Sequence, residues 1–338
     1  MNIDVDRLRA STCPAIQYRI RKEILHYPSD LPEMIALQNQ ILQDEPVQKV
    51  FTSQGPDGWL AWNFHGYYSM ESGIRLLCEK GLEANQPVLA HALLALEKHT
   101  DRLARGLSKV GKIFDDHGFG GAETIRAHLF VHAGNEEISL VQKQIEQALQ
   151  VFKSATQVKS LESLYEVHKG KFVFREGACW PSIYHLRLLA LSQGWRTPEN
   201  RKMIGKSIRQ LVRLSPIPDI YVRHKSQLIA PASFCMHDFT PDMKKLTDAG
   251  WMQWFHRMEL LARLGVADQI PELKRQLQTL AEILQEGQGL FTNKLNHAYF
   301  QKWGAYTGLA LEKDWRLPQR RINDLTFRSL LISHYAKQ

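Results

Sequence analysis

Apolar residues in this chain fall at helical spacing in paired blocks. One block of each pair is apolar on most faces, and the next is apolar on one face only. Residues 54–87, QGPDGWLAWNFHGYYSMESGIRLLCEKGLEANQP, show the unit most plainly: a Gly-Trp turn, an apolar helix over 67–80, a stop at Gly81, and Pro87 opening a second helix to residue 99. A second copy places an inner helix over 122–133, a stop at Gly134, and an outer helix with Val141, Ile145, Ala148 and Phe152 on one face. A third runs over 180–193, stops at Gly194, and restarts at Thr197-Pro198 as N-cap and first turn. A fourth runs from 249 to a stop at Gly265 and restarts at Pro271, with Leu273, Leu277, Leu280 and Leu284 on one face. A fifth is expected over 299–312, with Lys313 in the place of the stopping Gly, before a closing helix to residue 335.

Ahead of these copies, residues 15–26 and 31–43 read as a lead-in hairpin, followed by a short helix over 45–53 and the turn Gly55-Pro56-Asp57-Gly58. The stops at 81, 134, 194 and 265 drift apart by 53, 60 and 71 residues. Insertions at 105–121, 156–178, 215–248 and 287–296 account for the drift, and all precede inner helices. The expectation is an all-α chain of five to six helical hairpins in a single domain, residues 1–53 leading in and 54–338 repeating. Inner apolar helices and outer amphipathic ones would close into an α/α toroid, with an open α-solenoid as the alternative.

Composition narrows the class. Hydrophobic residues make up 44% and charged residues 23%, the balance of a soluble globular protein. Cys13, Cys78, Cys179 and Cys235 lack CxxC spacing, so neither a disulfide framework nor a four-cysteine zinc site is expected, and a reducing cytoplasm is the expected compartment. The opening MNIDVDRLR carries charge where a signal peptide needs an apolar run, and no stretch reaches the roughly 18 apolar residues of a membrane span. A net charge of +8 suits an anionic partner, but the basic residues are scattered. A small amphipathic or anionic ligand is therefore expected rather than nucleic acid, with no cofactor or metal.

CPAIQYRIRKEIL, QGPDGWLAW, WPSIYHLRLLALSQGWRTPENR and the ending LEKDWRLPQRRINDLTFRSLLISHY together resemble the squalene cyclase and protein prenyltransferase superfamily of α/α toroids, particularly its uncharacterised bacterial prenyltransferase-like members. The resemblance covers most of the chain and implies the toroid and an isoprenoid-like ligand in a central cavity. It does not extend to the family's chemistry. The DxDD acid motif of class II terpene cyclases is absent, its nearest string being Phe114-Asp115-Asp116-His117. Of the prenyltransferase zinc ligands, Asp248 matches, but Gly250 and Gln301 stand where the Cys and His would be.

Because the insertions precede the inner helices, the candidate site is the mouth at those helices' N-termini, where free N–H groups favour an anionic head. Trp59, Trp62, His65, Tyr67, Arg175, Trp180, His237, Trp251, His297 and Trp303 are candidate ligand-binding residues there, with ordinary core packing as the competing role for the rings. Asp115, Asp116, Glu176 and Asp248 are candidate catalytic carboxylates, Asp115 and Asp116 in company with Glu123. The competing roles are helix capping for the loop carboxylates and an ion pair between Arg175 and Glu176. Cys179 also falls at the mouth, and Cys235, His237 and Asp238 form a Cys-His-Asp string whose neighbours point apart. Three functions follow: action on an isoprenoid-like or amphipathic anionic ligand, carbohydrate processing by paired carboxylates, or a non-enzymatic helical scaffold.

Overall fold

The computed structural model describes residues 3–104, 109–230 and 233–338. The start of the insertion expected at 105–121 and the middle of the one at 215–248 thus lie partly outside the described residues. Contacts divide the chain into two compact units. Unit 1 comprises Met1–Thr100, Leu246–Glu259 and Gln276–Gln338, and unit 2 comprises Asp101–Lys245 and Leu260–Arg275.

Unit 1 begins with α1 (Val5–Ser11), which the sequence pattern did not reveal; Asp4 caps it by accepting the Arg7 amide at 2.9 Å. The lead-in hairpin follows as expected. Helix α2 (Pro14–Arg19) runs on through a wider π turn, Ile20–Ile24, and packs against α3 (Pro32–Leu42). Next come α4 (Glu45–Thr52), α5 (Met70–Glu79) and α6 (Pro87–Lys98), and the unit closes with α14 (Pro318–Tyr335). Leu89, Ala92, Leu93 and Leu96 bury the predicted face of α6.

Unit 2 holds α7 (Lys109–Asp116), α8 (Ala122–His132), α9 (Ser139–Ala155), α10 (Ile183–Leu191) and α11 (Pro198–Leu214). Helix α8 packs against α9 and α10, and α9 against α11. The inner and outer characters hold. Every α10 residue from Ile183 to Ala190 is buried, whereas α9 buries Val141, Ile145, Ala148 and Phe152 and leaves its opposite face in water. Thr197 caps α11 through the Asn200 amide, as its Thr-Pro start predicts. Helices α12 (Asp248–Arg263) and α13 (Pro271–Glu286) contribute residues to both units, and the leucines at 273, 277, 280 and 284 are all buried.

Three expectations are corrected. First, the chain is helical but not purely so. The insertions at 156–178 and 215–248 carry β1 (Tyr165–His168), β2 (Lys171–Phe174), β3 (Ile220–His224) and β4 (Gln227–Ile229), which form one sheet in the order β1-β2-β3-β4. The outer pairs are antiparallel hairpins and the central β2–β3 pair is parallel, with Phe172 opposite Ile220 and Val173 opposite Tyr221. Second, two of the inner helices start later than expected, while those at 122 and 248 begin within a residue of the expected place. Helix α5 begins at Met70 because Tyr68 has a left-handed φ of 48°, and α10 begins after Pro181, with Ser69 and Ser182 as their capping residues. Helix α10 also ends at Leu191, before Gly194; the Gln193 and Gly194 amides donate to the Glu136 carboxylate.

Third, the fifth inner helix does not form. Only a 3-10 turn, Ala298–Phe300, precedes a non-helical segment over 301–312 that is mostly buried from residue 304 on. Gly308 has φ 96° and packs so closely on Trp303 that a Cβ there would lie 2.5 Å from the indole, which excludes a continuous helix. The backbone of this segment finds other partners. The Leu309 amide donates to Phe300 O at 2.8 Å, and Arg328 donates to Leu309 O at 3.0 and 2.7 Å.

Candidate functional site

In unit 2 the turn between α7 and α8 folds back on itself. The Asp115 carboxylate accepts the Gly121 amide at 2.8 Å and the Glu123 amide at 3.0 Å, closing the start of α8. Gly121 has to be glycine here, since a Cβ would lie 1.7 Å from Gly111 O. Burial pushes the Asp115 carboxyl up to about 6, with the Glu123 charge acting the same way and the donated amides opposing both.

At the start of α10, Ser182 and His185 form a reciprocal cap. The Ser182 amide donates to His185 Nδ1 at 3.1 Å. With that lone pair occupied, the ring proton of the neutral imidazole resides on Nε2, which makes His185 a donor there. Burial pushes its pKa down to about 4, so the ring is neutral at physiological pH. Gly120, with φ 72°, passes close by; a Cβ there would meet Ser182 Oγ at 2.6 Å and His185 Cε1 at 2.9 Å.

These two helix starts open on a cleft of about 530 Å³ lined by Asp115, Gly118, Gly120, Thr124, Glu146, Gln147, Gln150, Val151, Ser154, Cys179 and His185. Its size is that of a small-molecule site. Its chemistry is hydroxyl, amide, imidazole and carboxyl, and among the described residues neither Lys nor Arg lines it. On the other side of Ser182 lies an aromatic recess of about 20 Å³, lined by Phe119, Phe174, Trp180, Ile217, Met236 and His237 among others, with room for about one water.

The residues singled out by sequence fall in both units. Asp115 lines the cleft, as does Cys179, and Trp180 and His237 line the recess. Asp116 stands outside, exposed and paired with Lys112 at 3.2 Å, and Arg175 and Glu176 are exposed just beyond β2. In unit 1, Trp59 is buried against Phe64, and Trp251 packs with Trp254, Phe255 and Phe291, the core role weighed against ligand binding. Asp248 accepts the Asn296 amide at 2.6 Å, and His297 Nδ1 accepts the Tyr299 amide at 3.1 Å. Around the start of α5, His65 Nδ1 donates to Glu71 Oε2 at 2.6 Å. Tyr67 lies against Gly304 with Lys302 Nζ 4.2 Å from its ring, and Arg75 lies 5.7 Å from the Trp303 ring. Trp62 is 91% exposed.

Sequence reasoning missed His185, Thr124, Glu146 and Gln147. The spacing Ser182-x-x-His185 carried the one available signal, being a capping box with His in the usual place of Glu or Gln. Among the described residues no group of three or more His, Cys, Asp or Glu side chains is placed to hold a metal ion, and no helix is long and apolar enough to cross a membrane.

Compared with models of known families, with curated proteins and with solved structures, the chain finds no match in any of the three.

Proposed function

We propose that this protein binds a small, uncharged, hydroxyl-rich ligand such as a sugar in the cleft between α8, α9 and α10, with Asp115 as the group that holds and releases a proton there. The lining of the cleft carries this reading. Two carboxyl side chains, two glutamines, Thr124, Ser154 and the His185 donor offer both halves of the hydrogen bonds a polyol makes. A carboxyl with a pKa near 6 exchanges its proton near neutral pH. Glu146, which lines the cleft, rather than Glu176, which does not, is the second carboxyl of the pair.

A phosphate or diphosphate head fits this lining poorly, because among the described residues it would meet two carboxyl groups and no cation. The isoprenoid reading implied by the family resemblance draws its support from the aromatic recess beside Ser182. The α/α toroid belongs to the same proposal, supported by the fully buried α10 and the one-sided α9. So does a cytoplasmic location, supported by four cysteines that are all free.

Thermal shift with a panel of mono- and disaccharides, beside farnesyl and geranylgeranyl diphosphate, tests the choice. A sugar should raise the melting temperature and lose its effect in Gln147→Ala, a substitution at an exposed lining residue. A shift with the diphosphates alone would return the site to the isoprenoid reading.

A further inference from the structure

The loop over residues 60–69 leads into α5 and holds backbone conformations that ordinary residues avoid. Ala61 and Tyr68 have φ of 56° and 48°. Each costs about 1 kcal/mol or more, so surrounding structure has to impose it. It does so through Ala61 N–H to Ser53 O at 3.1 Å, Met70 N–H to Asn63 O at 2.9 Å and Glu71 N–H to Phe64 O at 3.0 Å, with Phe64 buried.

The same pinning keeps two large rings in water. A backbone bridge pairs Asn63 with Ser69, which sets the preceding residues, Trp62 and Tyr68, at neighbouring positions along the two strands of the loop. Their side chains are 91% and 81% exposed. Burying such a ring is worth about 2 kcal/mol, yet the loop is fixed in a form that forgoes it for both. Between them in sequence, His65 is held by its Nδ1–H bond to the buried Glu71 and by edge-on contact with Tyr306 at 5.6 Å.

The remaining composition distinguishes the partner. Trp62, Asn63, Tyr67 and Tyr68 are the exposed positions of the loop, and no aliphatic side chain is exposed among them. Membrane-surface segments set their aromatics beside Leu on a Lys/Arg-rich helix, which this loop is not. Rings bordered by an amide, an imidazole and phenol hydroxyls instead suit a pyranose, whose C–H face lies on a ring while its hydroxyls reach polar groups at the edge.

We propose that residues 61–68 form a stacking platform for an oligosaccharide, with Trp62 and Tyr68 beneath the sugar rings and Asn63 and His65 at their edges. The platform uses none of the cleft residues and does not depend on the reading given to them.

Acrylamide quenching of tryptophan fluorescence in the full-length protein tests it, with cellohexaose, maltohexaose and chitohexaose as probes and phosphatidylglycerol vesicles as the rival. At least one hexaose should protect wild-type fluorescence from quenching. Trp62→Ala and Tyr68→Ala, both at exposed sites, should each weaken that hexaose's calorimetric affinity about tenfold, as expected for loss of a stacked ring. Absence of binding by all three, affinity indifferent to both ring substitutions, or protection by vesicles alone would overturn the platform.

Discussion

Residues 183–191 in unit 2 and 301–312 in unit 1 hold corresponding places in the repeat expected from sequence, and both are largely buried, the second from residue 304 on, yet they satisfy their backbones by different means. In α10 the helix supplies most of its own bonds and side chains finish its two ends, Ser182 and His185 at the first turn, and Trp195 and Arg196 donating to the Leu189 and Ala190 carbonyls at the last. The segment over 301–312 has no helix, so charged side chains take over. Arg328 donates twice to Leu309 O, Asp324 accepts the Leu311 amide at 2.6 Å, Lys80 and Cys13 donate to Leu311 O, and Arg75 donates to Gly304 O and Ala305 O. Arg328 is itself held by Glu79 at 2.8 Å and Glu259 at 3.0 Å. The His185 ring caps the backbone through Nδ1 and still lines the cleft, whereas the charged groups around 304–312 in unit 1 are committed to backbone carbonyls and amides.

The largest test of this contrast is Arg328→Met. It leaves Glu79 and Glu259 with Arg19 as a remaining cation and strands the buried Leu309 carbonyl, and urea denaturation should show a loss of about 3 kcal/mol, with less in Arg328→Lys. Next is Gly121→Ala, which forces α7 and α8 apart. A loss of about 3 kcal/mol is expected by the same measurement, together with loss of ligand binding in the cleft.

A smaller and sharper test uses pH. The Asp115 pKa is raised on folding, from 3.8 to about 6, so its contribution to stability is complete below about pH 3.8 and is lost as pH rises through 6. The His185 pKa is lowered from 6.5 to about 4, so its contribution is present above about pH 6.5 and is lost as pH falls through 4. The two slopes oppose each other between pH 4 and 6, each worth about 2–3 kcal/mol. Asp324, raised to about 6 by burial, slopes with Asp115. Relative to wild type, stability in Asp115→Asn should therefore rise with pH across this window. It should fall with pH in His185→Gln, which keeps the reciprocal cap. Chemical denaturation at pH 4.5 and 6.5 reads both, and parallel curves for wild type and variants would refute the assignment. The smallest effect belongs to Asp116→Asn and Glu176→Gln. Both side chains are exposed, so stability should stay within about 0.5 kcal/mol and cleft binding should not change.

The outer helices were legible almost to the residue, because Pro32, Pro87, Pro198 and Pro271 each open one and the apolar stripe that follows is what the helix buries. The inner helices were legible in place but not in extent, since an apolar run reads alike whether it coils or extends. Residues 299–312 show this, because long-range partners such as Arg328, Asp324 and Arg75 permit a non-helical course there. The strands are three to five residues each and lie in segments read only as insertions. One local sign was present: His168-Lys169-Gly170-Lys171 between alternating residues, where Lys169 and Gly170 both take positive φ. Of the cleft, Asp115 was legible as a carboxyl near an inner helix. His185 was not, because a histidine inside an apolar run looks like core, and its exposure to a cavity depends on how closely Gly120 passes it.

The parallel pairing of β2 with β3 makes the two insertions interdependent. Removing the hairpin of β3 and β4 would not simply trim a surface loop; it would leave β2 with a row of unpaired amides and carbonyls beside the half-exposed Phe172. A shortened chain of that kind is expected to associate through the bared strand, so in this protein the length of one insertion is constrained by the presence of the other.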